Sequence, residues 1–379
     1  MKIVVPKETY PGETRVPIVP ASVKTLVALG AEVEVESGLG ETCRSTDQDY
    51  KDAGATVNED RKALISSGDL VLRLRQPPEE EVEWLKKGAL HISYLDPFNQ
   101  RALVETFASA GVSAISMEMV PRTTLAQKMD AISSQANLAG YVSVILAAER
   151  TDKILPMMMT PAGTIDPARV LICGVGVAGL QAIATANRMG ARVEATDVRD
   201  ETEEQVRSLG AKFVKVDLGK TESTKDGYAK ELTEEQKKRQ QEALGKLYSN
   251  YDVIITTAKV FGRPAPKIIL GWMLEKMKPG TVIVDMAADT GGNVEGSKAN
   301  EEVDVNGVNI IGFDNLPGMV AVPASEMYSS NLTHMITHFW DKEKNEFVPN
   351  PEDEIIQGCL LTRDGAVVNE RVKSIWEKQ

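Results

Sequence analysis

Arg169-Val-Leu-Ile-Cys-Gly174-Val-Gly176-Val-Ala-Gly179-Leu-Gln-Ala-Ile-Ala184 decides the fold. An apolar run of strand length leads without interruption into Gly-x-Gly-x-x-Gly, and the glycines lead into a helical pattern that stops at Gly190. Glycine triplets alone occur by chance in loops, but here the strand, turn and helix that a dinucleotide site needs are all in sequence. Gly174 permits the tight turn, Gly176 a close backbone approach to a pyrophosphate, and Gly179 close packing of helix on strand. The helix N-terminus then presents unpaired N–H groups to the phosphates.

Working outward, Ala191-Arg-Val-Glu-Ala-Thr-Asp197 reads as the next strand. Asp197 follows Gly179 by 18 residues, where an acid meets the adenine ribose hydroxyls. A carboxylate there repels a 2′-phosphate and favours NAD(H). In Asp197-Val198-Arg199 the arginine is a complication, because an Arg at this place receives such a phosphate. Further strands are expected at Lys212–Val216, Asp252–Thr256, Thr281–Asp285 and Val308–Gly312. Thr256-Thr257-Ala258 and Met286-Ala-Ala-Asp289 stand at two strand ends on the pyrophosphate side, where Thr257 reads either as a cofactor contact or as strand-end capping.

The first 120 residues alternate strand patterns (Lys2–Val5, Glu32–Glu36, Asp69–Leu74, Ala89–Leu95) with helical ones such as Ser22–Leu29, as an α/β domain with a mostly parallel sheet does. A long helix is expected from Ser133 to Glu149. The last 50 residues offer a helix over Ser325–Phe339 and a β pair within Leu360–Val368, too little for a domain of their own. The expected architecture is two Rossmann-like α/β domains with mostly parallel sheets, separated by a cleft. Residues 1–132 with 325–379 form the first and 133–324 the dinucleotide-binding second. The polar stretch 219–246 reads either as a solvated loop and surface helix or as a lid whose Gly227-Tyr228 tip closes over a ligand.

The chain has 379 residues and a net charge of −12, which disfavours nucleic acid or anionic lipid as main partner. Cys43, Cys173 and Cys359 are widely spaced and odd in number, so neither a disulfide framework nor a zinc site is suggested. His334 and His338 stand four apart on a helix, but no Glu completes an HExxH pattern. No run approaches the ~18–20 consecutive apolar residues of a membrane span. A soluble, intracellular chain is expected. Gln127, Asp130, Ser134 and Asn137 share one face if their stretch is helical. That face is either solvated or ligand-holding, and periodicity does not decide between them.

Several motifs together resemble the peripheral NAD(H)-binding component of the proton-translocating nicotinamide nucleotide transhydrogenases: Met117-Glu-Met-Val-Pro-Arg122, Gln127-Lys-Met-Asp130, Ser133-Ser-Gln-Ala-Asn-Leu-Ala-Gly-Tyr141, Pro156-Met-Met-Met-Thr160, Gly174–Ala186 and Gly227-Tyr-Ala-Lys-Glu231. The resemblance runs from Lys2 to about Val368. It implies hydride exchange between NADH here and NADP⁺ on a partner subunit, coupled to proton movement through a membrane-spanning subunit. It also implies a homodimer held peripherally on the cytoplasmic face of the inner membrane. Arg122, Gln127, Asp130 and Ser133 match the family's set around the nicotinamide: Arg122 and Asp130 orient the carboxamide and phosphate region, Ser133 bonds the carboxamide, and Gln127 reaches towards the second nucleotide. Tyr228 matches a loop tyrosine that closes over nucleotide, and Gly174, Gly176, Val177, Gly179 and Asp197 match the fingerprint. Val198, Arg199, Gly227 and Thr257 complete the expected cofactor contacts.

Alanine dehydrogenase, with a similar fold, is the rival, and a non-catalytic NAD(H)-binding protein is a second. The dehydrogenase needs a base for the amine and cations for the carboxylate. Arg15 is retained, but its lysine position reads Arg75 and its histidine position Asp96. Arginine does not shuttle protons near neutral pH, and an ionised Asp96 repels an amino-acid carboxylate.

Overall fold

The computed structural model describes residues 1–215 and 234–378. Two compact units divide the chain: Met1–Gln135 with Gly318–Gln379, and Ala136–Pro317. In the first, β1 (Lys2–Val5), β2 (Glu32–Glu36), β3 (Thr56–Asn58), β4 (Leu70–Leu72), β5 (Leu90–Ser93) and β6 (Ser113–Ser116) make a parallel sheet of order β3-β2-β1-β4-β5-β6. The central β4 is buried throughout, as a parallel strand covered on both faces must be. β2 buries Val33 and Val35 and leaves its glutamates at least partly exposed. β3 and β6 carry no strand signal in the sequence, being short and rich in Thr, Asn and Ser. Both lie at sheet edges, where less apolar surface is needed.

The C-terminal segment belongs to this unit. Its helix Ala321–His338 buries Tyr328, Leu332, Met335 and Ile336. The helix also takes up loop donors: Ser325 Oγ accepts from Val16 N–H at 2.9 Å and Ser329 Oγ from Val19 N–H at 3.0 Å. Thr362, fully buried, accepts from Ala114 N–H and donates to the Val112 carbonyl.

In the second unit an antiparallel hairpin, β7 (Met158–Thr160) and β8 (Gly163–Ile165), precedes a seven-stranded sheet. Its strands are β9 (Arg169–Cys173), β10 (Arg192–Thr196), β11 (Lys212–Phe213), β12 (Val253–Thr256), β13 (Val282–Asp285), β14 (Glu302–Val305) and β15 (Val308–Ile311), in the order β11-β10-β9-β12-β13-β15-β14. All pairings are parallel except β14–β15, which turns through Asn306-Gly307, both at positive φ. That Asn-Gly step is the hairpin signal that reveals β14 in the sequence. The chain order reverses between β9 and β12, and this switch point is where an open α/β sheet receives ligands. The fold class is thus α/β with mostly parallel sheets, as expected.

The helix Ala131–Arg150 is, among the described residues, the one helix long and apolar enough to cross a membrane, although half of its most apolar window is buried inside the protein. A search for unbroken apolar runs misses it because Ser133, Ser134, Gln135 and Asn137 interrupt the pattern. Gly140 lets it approach the helix Val177–Arg188: an added Cβ would lie 2.2 Å from the Ala178 carbonyl oxygen.

Candidate nucleotide-binding site

Each glycine of the turn after β9 has a distinct structural reason. Gly174 has φ +102°, and a Cβ there would meet Thr257 Oγ1 at 2.5 Å. At Gly179 a Cβ would stand 2.0 Å from the Gly174 carbonyl oxygen, so helix and turn are in direct backbone contact. Nothing lies within 4 Å of a Cβ built on Gly176. This residue is the N-cap of the helix Val177–Arg188, and no side chain caps that end. The open space and uncapped N–H groups at one helix end fit a pyrophosphate.

Asp197 follows β10 and turns its carboxylate back to this loop, accepting Val175 N–H at 2.7 Å. Arg199 pairs with the same carboxylate through Nε at 2.9 Å and Nη2 at 3.0 Å. Val198 is half-buried between them. Thr257 donates its hydroxyl to the Gly174 carbonyl at 3.0 Å, which makes it a brace of the glycine turn.

Two further braces escaped the sequence reading. Asp285, fully buried at the end of β13, accepts from Thr256 Oγ1 and from the N–H groups of Ala287, Asn293 and Val294. Buried Asn293 in turn bonds Ala258 through both amide ends and donates to the Pro266 carbonyl. A polar residue ending an apolar strand run is the available signal for Asp285. Asn293 carries none. Asp289 pairs with Lys259 at 2.7 Å.

In the first unit, Arg122, Thr123, Thr124, Gln127 and Asp130 line one cavity of about 270 Å³. Its shape corrects one expectation. Gln127–Met129 is a short 3₁₀ turn and Asp130 is non-helical, so Gln127, Asp130, Ser134 and Asn137 do not share one helix face. Asp130 instead caps the helix Ala131–Arg150: Oδ1 accepts Ser133 N–H at 2.8 Å and Oδ2 the Ser133 hydroxyl at 2.6 Å. Arg122 Nε stands 3.8 Å from Asp130 Oδ2. Asn331 of the C-terminal helix fixes the turn by donating to the Lys128 carbonyl and accepting from Ser134 Oγ. Gln127 is exposed and Met129 buried, so the loop is anchored below and presents its amide outward. Gly227 and Tyr228 lie outside the described residues.

The residues that bear on the rival chemistry are committed to one another. Glu13 receives Arg15 through Nε and Nη2 and Arg75 through Nε, all at 2.7–2.8 Å. Burial alone would raise the Glu13 carboxyl, but the hydrogen bonds and charge of Arg15, with those of Arg75, hold it at about 2. Arg15 Nη1 donates to Gln135 Oε1 at 2.8 Å. Asp96 is exposed, has φ +45° and accepts from Asn99 Nδ2, so no imidazole-like base stands in its place.

Residues 4–139 match the family described as alanine dehydrogenase/PNT, N-terminal domain, and residues 143–370 its C-terminal domain. The chain is 47% identical to the first portion of a split NAD(P) transhydrogenase subunit alpha from Rhodospirillum rubrum, over 97% of this chain and 98% of that one. A solved transhydrogenase structure from Sinorhizobium meliloti superposes with TM-score 0.87 at 42% identity, covering 97% of this chain and 100% of that one. An L-alanine dehydrogenase structure has the same fold at TM-score 0.81 and 26% identity, covering 100% and 99%. The chain therefore belongs to the alanine dehydrogenase/PNT family and, within it, to the transhydrogenase alpha subunits, as an oxidoreductase subunit.

Proposed function

We propose that this chain is the NAD(H)-holding component of a proton-translocating transhydrogenase, exchanging hydride between NADH bound here and NADP⁺ held on a partner subunit. The observation that carries the reading is the turn at Gly176, where backbone N–H groups face open space at the mouth of a switch point. Full-length identity to a transhydrogenase subunit, set beside the loss of the dehydrogenase's lysine and histidine at Arg75 and Asp96, favours this reaction over amino-acid oxidation.

Gly174, Gly176, Val177 and Gly179 receive the pyrophosphate, Asp197 reads the ribose, and Thr257 acts by holding Gly174. Arg122, Gln127, Asp130 and Ser133 serve the nicotinamide end. Ser133 already donates to Asp130, so it meets a carboxamide N–H as acceptor. Hydride passage between two nicotinamides transfers no proton at the reacting carbons. Catalysis is then proximity and orientation, with reacting atoms about 3–3.5 Å apart. On this basis Gln127→Asn, which retracts the exposed amide by one methylene, is expected to lower turnover roughly tenfold or more while NADH affinity changes little. Unchanged turnover would remove Gln127 from the mechanism. Tyr228, with Gly227, is assigned the closing of the site over bound nucleotide.

The partners are the membrane-spanning and NADP(H)-binding subunits, which hold the chain peripherally at the cytoplasmic face of the inner membrane. We also assign a homodimer. The hairpin β7–β8 is exposed on every residue, and Met159 is 80% exposed. A lone two-stranded hairpin is marginal in water. Tyr141 and Ile145, one turn apart on the neighbouring helix in sequence, are exposed as well. Met159→Asp is expected to shift sedimentation from dimer to monomer, and an unaltered dimer would put the interface elsewhere.

Reconstitution tests the whole assignment. Purified chain is added to salt-washed membranes carrying the partner subunits, and NADH-dependent reduction of an NADP⁺ analogue is followed. A parallel reaction contains NAD⁺ and L-alanine without membranes. Reduction requiring both chain and membranes is expected, whereas NADH formation from alanine alone would reverse the choice between the two enzymes.

A further inference from the structure

Asp197 has no acceptor position left for a ribose. Oδ1 accepts the main-chain N–H and Nε of Arg199, both at 2.9 Å. Oδ2 accepts Val175 N–H at 2.7 Å and Arg199 Nη2 at 3.0 Å. A carboxylate offers about four lone-pair sites, and these four donors fill them. Arg199 Nη2 also donates to the Val175 carbonyl at 3.2 Å. Val175 sits between Gly174 and Gly176, so acid and guanidinium together clamp the turn by both its N–H and its C=O. The pair is largely withdrawn from water, with side chains 6% and 17% exposed.

We propose that Arg199 is a latch on the ribose-reading acid: its side chain holds Asp197 and Val175 until an adenosine ribose takes an Arg199 donor's place on the carboxylate. This makes Arg199 a positioning and specificity-determining residue, and it rests on the nucleotide reading given above. Two consequences follow from the geometry. Only the fraction of molecules with the latch open accepts a ribose, so apparent affinity for NADH is lower than the open site would give. The displaced guanidinium also stands beside the ribose 2′ position. There it offsets the repulsion that Asp197 alone would exert on a 2′-phosphate, so the pair excludes NADPH less strictly than a bare acid would.

The test titrates the whole purified chain with NADH and NADPH, following nicotinamide fluorescence, in the wild type and in Arg199→Ala and Arg199→Gln. The main-chain N–H groups of residues 175 and 199 still hold Asp197 in both variants. Arg199→Ala is expected to tighten NADH binding about tenfold and to weaken NADPH binding, widening the preference between them. Arg199→Gln keeps one neutral donor and falls between. It decides the matter if the alanine variant does not fold. A role in bracing the turn alone would weaken both nucleotides in parallel and leave their ratio unmoved. NADH binding that is weaker or unchanged in the variants overturns the latch while leaving the nucleotide site standing. A wild-type chain that binds no NADH overturns both.

Discussion

Gly179→Ala is expected to destabilise the second unit by about 3 kcal/mol or more and to abolish NADH binding with it. The added Cβ would lie 2.0 Å from the Gly174 carbonyl oxygen, a main-chain atom held in place by the Thr257 hydroxyl. Neither partner can rotate away as a side chain would, so the helix Val177–Arg188 must lift from β9. Gly176→Ala provides the contrast. Its Cβ enters open space at φ −87°, a backbone conformation that alanine adopts readily. It should melt with the wild type yet lose NADH affinity by roughly a hundredfold, because the methyl occupies the ground a pyrophosphate needs. Thermal unfolding of the two variants beside an NADH titration separates them. Wild-type binding by Gly176→Ala would mean that the phosphates pass elsewhere.

Glu13→Gln is expected to cost the first unit about 3–5 kcal/mol, because it leaves Arg15 buried without its counter-charge. The Glu13 and Arg15 side chains are 0% and 3% exposed. The effect has a pH signature. The folded carboxyl titrates at about 2 against an ordinary value of 4.5. A depressed folded value gives stability that is complete above 4.5 and is lost as pH falls from there through about 2. The difference of about 2.5 units corresponds to about 3 kcal/mol, in keeping with the mutational figure. Wild-type protein should therefore weaken steeply through this acid window, and Glu13→Gln, already weak at neutral pH, should lack that component. Parallel acid-unfolding curves with a constant offset would place the lost stability on some other group.

The same triad bears on why the chain is no amino-acid dehydrogenase. Its retained Arg15 is bound at once by Glu13 and Gln135, and Arg75, which replaces the needed lysine, is drawn to the same Glu13. These positions were readable as departures from the dehydrogenase pattern. Their mutual neutralisation was not, since Arg15 and Gln135 are 120 residues apart.

The amino-acid sequence by itself determined the α/β class, the central strands and the glycine turn. β1, β2 and β10 begin and end where their apolar pattern does. Such features are written in windows of a few residues, because strand and helix periods and turn chemistry are local. Tertiary structure decided what the polar groups do. It made Asp130 a helix cap with Ser133 and placed Asn331 under the Gln127 turn, 203 residues from its partner at Lys128. Thr257 became a brace on Gly174, 83 residues away, and Asp197 was closed by Arg199. A carboxylate, hydroxyl or amide has the same local signature whether it meets a ligand or its own chain. Which of these it meets depends on the distant segments that folding brings to it.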